Sequence, residues 1–596
     1  MRSGRFRALG AALVTVLILM AAPAFAGGQV PANPADQPPF DGGATYRLST
    51  PPSVTKPPPG FTLTAGRAQA IATDAARGDL PGRLGRVRVR TRLGSDGRNQ
   101  WQVDLYDQNG DHVAEVVVDD ASAGVVERWT GSQVDTKLAR GYEGAVAGKV
   151  NRWWVWLPLC LLFLAPFVDP RRPLRLIHLD LLALLGFSVS LFFFNKAEIG
   201  WSVGLVYPVL AYLFVRMLVA GFLPGESRDR LLPVARRSWL VAGIVALAAF
   251  HTAYIATEGK VIDVGLAGVI GADRLTHGED VYGPDFSEGL PPSSDVRGDV
   301  YGPANYLAYI PFEASFPWSG HWDDVPAARA AALGFELLTA LALYMLGCRL
   351  GGSITPRRWR MRTLTPVPRG PTAEGGTLGV ALAYAWLAYP FTMYTLGSSF
   401  NDSLVALLLV CCLLVLSSPV GRGAASALAG LTKFGPLILV PLFAAGHGER
   451  RLRPLVTFGL GFLVAAAIVT IPLLPDGGLR ELYDRSLGYQ ASRGSPFSVW
   501  GQAPSLHFLQ TLTKLFAVGL ALLLFFVPRR RTTVQVAALA AALVIAVQVT
   551  ANHWFYPYTV WFAPLFLVAV FAGHGRRPQP AIPRRTTRQV LQSNRS

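Results

Sequence analysis

Eleven long apolar runs constrain what this chain can fold into more than any other feature. Each has close to the roughly 17 to 25 residues that a helix needs to cross a bilayer. Of the 596 residues 51% are hydrophobic and only 16% charged, whereas soluble domains carry about 25% charged residues. We therefore predict a polytopic all-α membrane protein with about eleven transmembrane helices, near residues 152–168, 176–194, 201–222, 239–257, 327–348, 377–396, 402–418, 455–474, 511–528, 533–550 and 555–574.

The connections between these runs differ in charge, which predicts their orientation. Residues 258–326 include twelve acidic and three basic residues, whereas residues 349–374 include six arginines and one acidic residue. Arginine-rich short connections stay in the cytoplasm. We expect the loops at 258–326 and 475–510 to be extracytoplasmic and the basic tail at 575–596 to be cytoplasmic and disordered. Because orientation accounts for the net charge of +17, we predict no nucleic-acid partner.

A twelfth apolar run, at residues 424–445, is broken by the sequence Thr-Lys433-Phe-Gly-Pro. If it crossed fully, one arginine cluster would lie outside and every later loop would be inverted. We interpret it as one re-entrant or broken helix inside the bundle, because freed backbone groups cannot face lipid. Lys433 would then be either a contact for a phosphate or a structural lysine.

The first 60 residues are predicted to lie outside the helix bundle. Arginines, an apolar stretch and Ala-Phe-Ala predict a signal peptide or signal anchor over residues 1–26. Residues 27–60 are rich in Pro and Gly and predict an extended linker. The four cysteines lie in or beside apolar runs, so neither a disulfide framework nor a thiolate metal site is expected.

Residues 61–135 have the pattern of a small α+β extracytoplasmic domain. Thr64 can cap a helix, and alternating segments at 87–90, 101–106 and 113–118 predict strands around an Asn-Gly turn. One helix on a three- or four-stranded antiparallel sheet would bury the apolar faces. The order Trp101-x-Val-x-Leu-x-x-x-x-Gly, Val-Val-Val-Asp, Gly-Val-Val resembles a PepSY-type domain. The resemblance implies an accessory, binding or inhibitory role.

Under this topology many polar and aromatic residues fall at the outer ends of the helices. The segment 299–313 is rich in aromatic residues and proline and predicts a shallow interfacial segment. The residues that converge on the outer face are Asp263, Asp273, His277, Glu279, Asp280, Tyr282, Asn305, Tyr306, Glu313, Asn401, Asp402, Arg485, Tyr489, Arg493, Trp500, Asn552, His553, Tyr556 and Tyr558.

Several of these segments resemble a known family in their order. They are Val-Ile-Asp263-Val, Arg-Leu-Thr-His-Gly-Glu-Asp-Val-Tyr282, Tyr-Gly-Pro-Ala-Asn-Tyr-Leu-Ala-Tyr-Ile-Pro, Gly-Leu-Thr-Lys433-Phe-Gly-Pro, Ser-Pro-Phe-Ser-Val-Trp500 and His553-Trp-Phe-Tyr-Pro-Tyr. Together they resemble polyprenyl-phosphate-sugar-dependent integral membrane glycosyltransferases of GT-C architecture, in particular the bacterial mannosyltransferase-like, GT87-like group. The resemblance covers about residues 239–574, within a transmembrane domain at 152–574.

The resemblance implies an inverting transfer of a mannose-like hexose from a polyprenyl-phosphate sugar to a glycolipid or cell-envelope glycan, in contact with membrane lipid. Asp263 matches the general base of the first outer loop. Lys433, Arg485 and Arg493 are the candidates for binding phosphate. The substrate-binding candidates are Asp273, His277, Glu279, Asp280, Tyr282, Asn305, Tyr306, Asn401, Asp402, His553 and Tyr556. No cofactor is expected, and a divalent cation that bridges Asp263 with Asp273 or Asp280 is not favoured.

Other interpretations of the same residues stay open at this point. Asp263 could be a solvated carboxylate at a helix end, and Asn401 and Asp402 could cap the helix that follows. Four aromatic residues could anchor the interface instead of binding sugar: Tyr301, Tyr306, Tyr309 and Trp318. The whole chain could also be a transporter or a flippase for lipid-linked sugars. Transporters tend to show inverted repeats and ionisable groups at mid-membrane, and the sequence shows neither clearly.

Overall fold

The computed structural model describes residues 49–79, 84–93, 98–108, 112–130, 146–196, 198–223, 231–283, 286, 298–320, 325–350, 375–492, 495 and 497–574. The expected signal segment, most of the expected linker, the basic connection at 351–374, Arg493 and the basic tail lie outside the described residues.

The N-terminal domain contains one helix and an antiparallel sheet of four strands in the order β1-β2-β3-β4. Thr64 caps the helix through a hydrogen bond from the Arg67 N–H, as predicted. Alanines of the helix pack on the apolar face of the sheet, around the buried ring of Trp101. The end of the expected linker joins the domain, because Ser49 pairs with Thr91 of the first strand. The elements are α1 (Ala65–Ala76), β1 (Leu84–Leu93), β2 (Asn99–Asp107), β3 (His112–Asp119) and β4 (Val125–Thr130).

Helices form most of the remaining described structure. They are α2 (Trp153–Leu164), α3 (Leu176–Leu185), α4 (Phe187–Phe194), α5 (Ile199–Phe222), α6 (Arg237–Thr257), α7 (Asp263–His277), α8 (Pro303–Glu313), α9 (Pro326–Leu350), α10 (Gly375–Ala388), α11 (Pro390–Gly397), α12 (Asp402–Leu414), α13 (Pro419–Thr432), α14 (Val440–Ala445), α15 (Leu452–Thr470), α16 (Gly478–Tyr483), α17 (Tyr489–Ser492), α18 (Val499–Gln502), α19 (His507–Phe526), α20 (Thr533–Thr550) and α21 (Thr559–Phe571).

In the described part of the chain, seven of these helical segments are long and apolar enough to cross a membrane. The other four predicted runs contain shorter apolar helices, and Pro390 divides the run at 377–396 into α10 and α11. The structure is therefore that of a multi-pass helical membrane protein, while the number of eleven crossings stays a prediction. The seven segments are Leu176–Phe194, Ile199–Phe222, Arg237–Thr257, Pro326–Leu350, Leu452–Leu473, His507–Phe526 and Thr533–Thr550.

Glycines bring the backbones of neighbouring helices into direct contact. A Cβ atom at Gly423 of α13 would lie 2.2 Å from the Phe458 carbonyl oxygen of α15, and one at Gly461 would lie 2.4 Å from that of Val420. In lipid, helices associate through such close packing rather than through the exclusion of water. The pair α13 and α15 is therefore fixed by backbone contact.

The run at 424–445 is broken as predicted, and it turns back on itself. Arg422, near the start of α13, donates to the Leu416 and Ala444 carbonyls at 2.8 and 3.2 Å, so the run begins and finishes at the same end of the bundle. At the break, Lys433 reaches Asp402, the first residue of α12. We name the two ends of the bundle by their residues: the basic end contains Arg349, Arg422 and Arg531, and the acidic end contains Asp263 and Asp402.

Candidate active site

The acidic end is built on a stripe of glycines along α7, which Asp263 begins. Gly265, Gly268 and Gly271 recur every three residues and therefore share one face of the helix. A Cβ atom at these positions would lie 2.8 Å from the Ser399 carbonyl oxygen, 2.6 Å from the Tyr309 ring and 2.3 Å from the Tyr306 ring, respectively. The absence of side chains there lets α8 and the turn before α12 pack against α7.

These contacts change the interpretation of the segment at 299–313. We expected a shallow interfacial segment, but its helix α8 buries the rings of Tyr306 and Tyr309 inside the protein. The Tyr306 hydroxyl donates to the Gly298 carbonyl at 2.6 Å. The prediction failed for these two tyrosines because the glycines that accept their rings lie in a different helix.

The loop before α8 packs directly on the break of the re-entrant run. The Gly302 N–H donates to the Thr432 carbonyl at 3.2 Å. A Cβ atom at Gly302 would lie 2.0 Å from the Leu431 carbonyl oxygen. The Tyr282 hydroxyl donates to the Tyr301 carbonyl at 2.8 Å. These contacts fix Tyr301 beside the break.

Lys433 lies at this break in an aromatic and acidic environment that we call the lysine cage. Its Nζ atom is 2.8 Å from Asp402 Oδ1. The same oxygen accepts a hydrogen bond from Trp561 Nε1 at 2.7 Å. Nζ also lies 5.9, 5.5 and 5.7 Å from the ring centroids of Tyr301, Tyr558 and Trp561. Aromatic faces attract cations at such distances, so the lysine cage, formed by these five residues, stabilises one ammonium group.

Asp263 lies close enough to Tyr301 of the lysine cage for its charge to act on the Tyr301 hydroxyl. Burial, followed by the negative charge of Asp263, raises the pKa of the Tyr301 hydroxyl well above its ordinary value, and the charge of Asp402 acts in the same direction. Tyr301 therefore stays protonated, close to both carboxylates. The Lys433 ammonium, the Tyr301 hydroxyl and the carboxylates of Asp402 and Asp263 thus lie in one region of the acidic end.

Asn305 and Asn401 lie next to the lysine cage and contact each other. Asn401 Nδ2 donates to Asn305 Oδ1 at 2.7 Å, and both residues are fully buried. Asn401 occupies the N-cap position of α12, but its side chain makes no capping bond, so the capping interpretation is wrong for it. Four buried polar atoms nearby have no hydrogen-bond partner among the described residues: Asn305 Nδ2, Asn401 Oδ1, Asp402 Oδ2 and the Tyr309 hydroxyl.

Arg485, a second candidate for binding phosphate, is already engaged by two carboxylates. It lies in a π-helix, Asp484–Gly488. Its Nη1 atom is 3.0 Å from Asp299 Oδ2, and its Nε atom is 2.7 Å from Glu481 Oε1. The hydrogen bond with Glu481, with a further one to Asp299, raises the pKa of the Arg485 guanidinium. Arg485 joins the segments that carry Asp299 and Glu481. The third candidate, Arg493, lies outside the described residues.

The structure places a second group of predicted residues at the far end of α7. Asp273 follows Asp263 by ten residues of one helix, which is a rise of about 15 Å. His277, Glu279 and Asp280 are exposed beyond it, and His277 donates from Nδ1 to the Asp273 carbonyl at 2.8 Å. One cation cannot bridge carboxylates this far apart, and no group of three His, Cys, Asp or Glu side chains suited to a metal occurs among the described residues.

His553 and Tyr556 have different environments at the start of the last helix. The Tyr556 hydroxyl is buried within 2.8 and 2.7 Å of the Ser190 and Ser202 hydroxyls. The His553 Nδ1 atom lies 2.8 Å from Ser495 Oγ, and its ring is 6.4 Å from that of Tyr558 in the lysine cage. Tyr556 is thus part of the packed interior, whereas His553 borders the cage.

Sequence reasoning missed three parts of this site. Trp561 lies within an apolar run, where no local signal separates a ring that binds a carboxylate from a core residue. For Tyr301 the sequence favours an anchor at the membrane interface over a contact with the sugar. The glycine spacing of α7 was visible in the sequence and could have indicated close packing.

Comparison with known proteins adds one finding at this point. Residues 300–572 match the family model of glycosyltransferase family 87. No curated protein and no solved structure matches the chain significantly. The matched segment, a little under half of the chain, includes the lysine cage and begins after α7. This match on a multi-pass helical scaffold indicates a membrane glycosyltransferase.

Proposed function

We propose that the protein transfers a mannose-like hexose from a polyprenyl-phosphate sugar to a glycolipid or cell-envelope glycan, at the extracytoplasmic side of a bacterial inner membrane. The observation that carries the proposal is the lysine cage beside Asp263. A phosphate that leaves with its electron pair needs a nearby cation, and Lys433 supplies one in a setting shielded from water. The family match over residues 300–572 supports the reaction class.

Asp263 acts as the general base in this proposal. The acceptor hydroxyl oxygen forms a bond to the anomeric carbon while the bond from that carbon to the phosphate oxygen breaks. The acceptor proton moves to the Asp263 carboxylate, and the electron pair of the broken bond stays on the polyprenyl phosphate. Attack from the side opposite the phosphate inverts the configuration of the sugar. The charge that develops on the phosphate is met by Lys433, with Arg485 and Arg493 as further cations.

The remaining polar residues would hold the two substrates. Asn305, Asn401 and His553 adjoin the lysine cage and are the nearest candidates for sugar hydroxyls. The group at the far end of α7, which includes Asp273 and His277, is far enough away to suit the acceptor rather than the reacting sugar. The PepSY-like domain would have an accessory role in binding the acceptor or controlling access.

The test is sugar transfer by the purified full-length protein in nanodiscs. A panel of radiolabelled polyprenyl-phosphate sugars serves as donor and a membrane-lipid extract as acceptor, for the wild type, Asp263→Asn and Asp263→Ala. Loss of a general base costs about 10²- to 10⁴-fold in rate. Asp484→Asn is the matched control, because Asp484 is an exposed outer carboxylate, paired only loosely with Arg480 at 3.9 Å.

We expect transfer by the wild type and the control, and near-complete loss in both Asp263 variants with unchanged melting temperatures. Transfer that survives in both Asp263 variants would exclude Asp263 as the base while leaving the enzyme class intact. A folded wild type that transfers none of the sugars would contradict the proposed reaction.

A further inference from the structure

The two contacts of the Asp402 carboxylate both fall on one of its oxygens. The side chain is completely buried, and one oxygen, Oδ1, accepts from both Lys433 Nζ and Trp561 Nε1. The buried oxygen Oδ2 has no partner within the described structure. A buried carboxylate is costly unless it is paired, and this one is paired only with members of the lysine cage.

Lys433 needs a partner of this kind because of its position in the chain. It is the C-cap of α13 and has extended backbone angles, φ −138° and ψ 132°, so no helical turn constrains its side chain. A lysine ammonium on its four-carbon stem is flexible and loses considerable rotamer freedom when it is held in one place. Asp402 and the three aromatic rings together restrict it to one location.

Resting on the proposed function, we propose that Asp402 is a positioning residue: it holds the ammonium group of Lys433 where the donor phosphate binds, and it contacts no sugar itself. An ammonium group has three donors. It can therefore keep one hydrogen bond to Asp402 Oδ1 while it donates another to the phosphate oxygen that takes up the electron pair of the breaking bond. Trp561, which lies in α21, fixes the Asp402 carboxylate through its own hydrogen bond.

This role predicts that Asp402 acts only through Lys433. The test compares Asp402→Asn, Lys433→Gln and the double variant in the nanodisc transfer assay, with initial rates over a range of donor concentrations. Asn keeps the size of the side chain and removes its charge. We expect kcat/KM for the donor to fall roughly 10- to 100-fold in Asp402→Asn, as for a displaced catalytic group. We expect a larger fall in Lys433→Gln and no further loss in the double variant.

Thermal unfolding supplies a readout that does not depend on activity. Lys433→Gln leaves the Asp402 carboxylate buried without its counter-ion, which is strongly destabilising, so the melting temperature of this variant should fall most. The double variant removes that charge and should recover much of the lost stability while its transfer stays as low as in Lys433→Gln. Recovery of stability without recovery of transfer would show that the loss of transfer is not caused by the loss of stability.

Asp180→Asn is the matched control for a purely structural loss. Asp180 is also completely buried, and it pairs with Arg216 at 2.9 Å and accepts from the Tyr212 hydroxyl at 2.8 Å. It lies in α3, outside the lysine cage. We expect this variant to melt at a lower temperature and to keep its kcat/KM for the donor per folded molecule.

Two results would overturn the inference in different ways. Losses from Asp402→Asn and Lys433→Gln that multiply in the double variant would show that Asp402 acts on the substrate directly. That result would leave the proposed function standing. A folded wild type with no transfer from any donor would remove both proposals together.

Discussion

The two ends of the helix bundle use their cations differently. At the basic end, arginines donate to backbone carbonyls where helices finish: Arg349 to Leu414, Arg422 to Leu416 and Ala444, Arg450 to Phe526, and Arg531 to Leu524. At the acidic end, Lys433 and Arg485 donate to the carboxylates of Asp402, Asp299 and Glu481.

This difference separates cations of the scaffold from cations that can serve a ligand. The last carbonyls of a helix have no partner within the helix, and a positive charge there is favourable. An arginine that satisfies them cannot leave without exposing those groups. A lysine paired with a side-chain carboxylate can share its other donors with an anion. We therefore expect substitutions at the basic end to change stability and substitutions at the acidic end to change transfer.

The strongest test of the comparison at the basic end is Arg422→Met. Arg422 is completely buried and satisfies two carbonyls besides contacting Glu449 at 3.2 Å. Its loss should lower the free energy of unfolding by about 3 kcal/mol, as for hydrogen bonds to charged groups. Melting in detergent measures this effect. Arg480→Met, at an exposed arginine, should melt as the wild type does. A drop in kcat/KM of folded Arg422→Met would break the distinction between the ends.

At the acidic end, Gly302→Ala should reduce transfer more than it reduces stability. The added Cβ would lie 2.0 Å from the Leu431 carbonyl oxygen, so the loop that carries Tyr301 must move away from the break. A displacement of about 1 Å near a reacting centre can cost about 100-fold in rate. Initial transfer rates check this expectation. Gly459→Ala is the control, because a Cβ atom there meets nothing within 4 Å. Unchanged rates in Gly302→Ala would show that the loop position does not matter.

Gly423→Ala is the equivalent change in the scaffold. Its Cβ would lie 2.2 Å from the Phe458 carbonyl oxygen and would push α13 away from α15. Overpacking of this kind typically costs about 1 to 3 kcal/mol, so the melting temperature should fall. The loss in transfer should be smaller than in Gly302→Ala. A larger loss would mean that the packing of α13 on α15 controls the lysine cage.

The smallest expected effect concerns His277 at the far end of α7. The hydrogen bond to the Asp273 carbonyl, with the charge of Asp273, raises the pKa of His277 above 6.5. A raised folded-state pKa stabilises the protein below the unfolded value, and the contribution is lost as the pH rises through the folded value. His277→Gln should therefore lower the melting temperature slightly near pH 6 and not at all near pH 9. An equal difference at both pH values would exclude the protonated ring as its cause.

Much of the scaffold followed from local sequence patterns. The helix and sheet of the N-terminal domain, its cap at Thr64 and the break at Lys433 all depend on residues within a few positions of each other. The site was harder to predict, because closeness in the sequence does not imply closeness in the structure. Asp263 and Asp273 are close in sequence and about 15 Å apart along one helix, whereas Asp402 and Trp561 are 159 residues apart and share a hydrogen bond.

The sequence by itself therefore determined which segments are apolar helices, where they break and which residue types are available for chemistry. Only the tertiary structure decided that Asp402 pairs with Lys433, that Tyr301 lies near two carboxylates and that Tyr306 and Tyr309 are buried against α7. The physical reason is the distance along the chain over which the interactions act. Helix formation depends on hydrogen bonds within one turn. The lysine cage depends on how closely α7, α8, α12 and α21 pack, and the glycines of α7 permit the close approach of α8 and of the turn before α12.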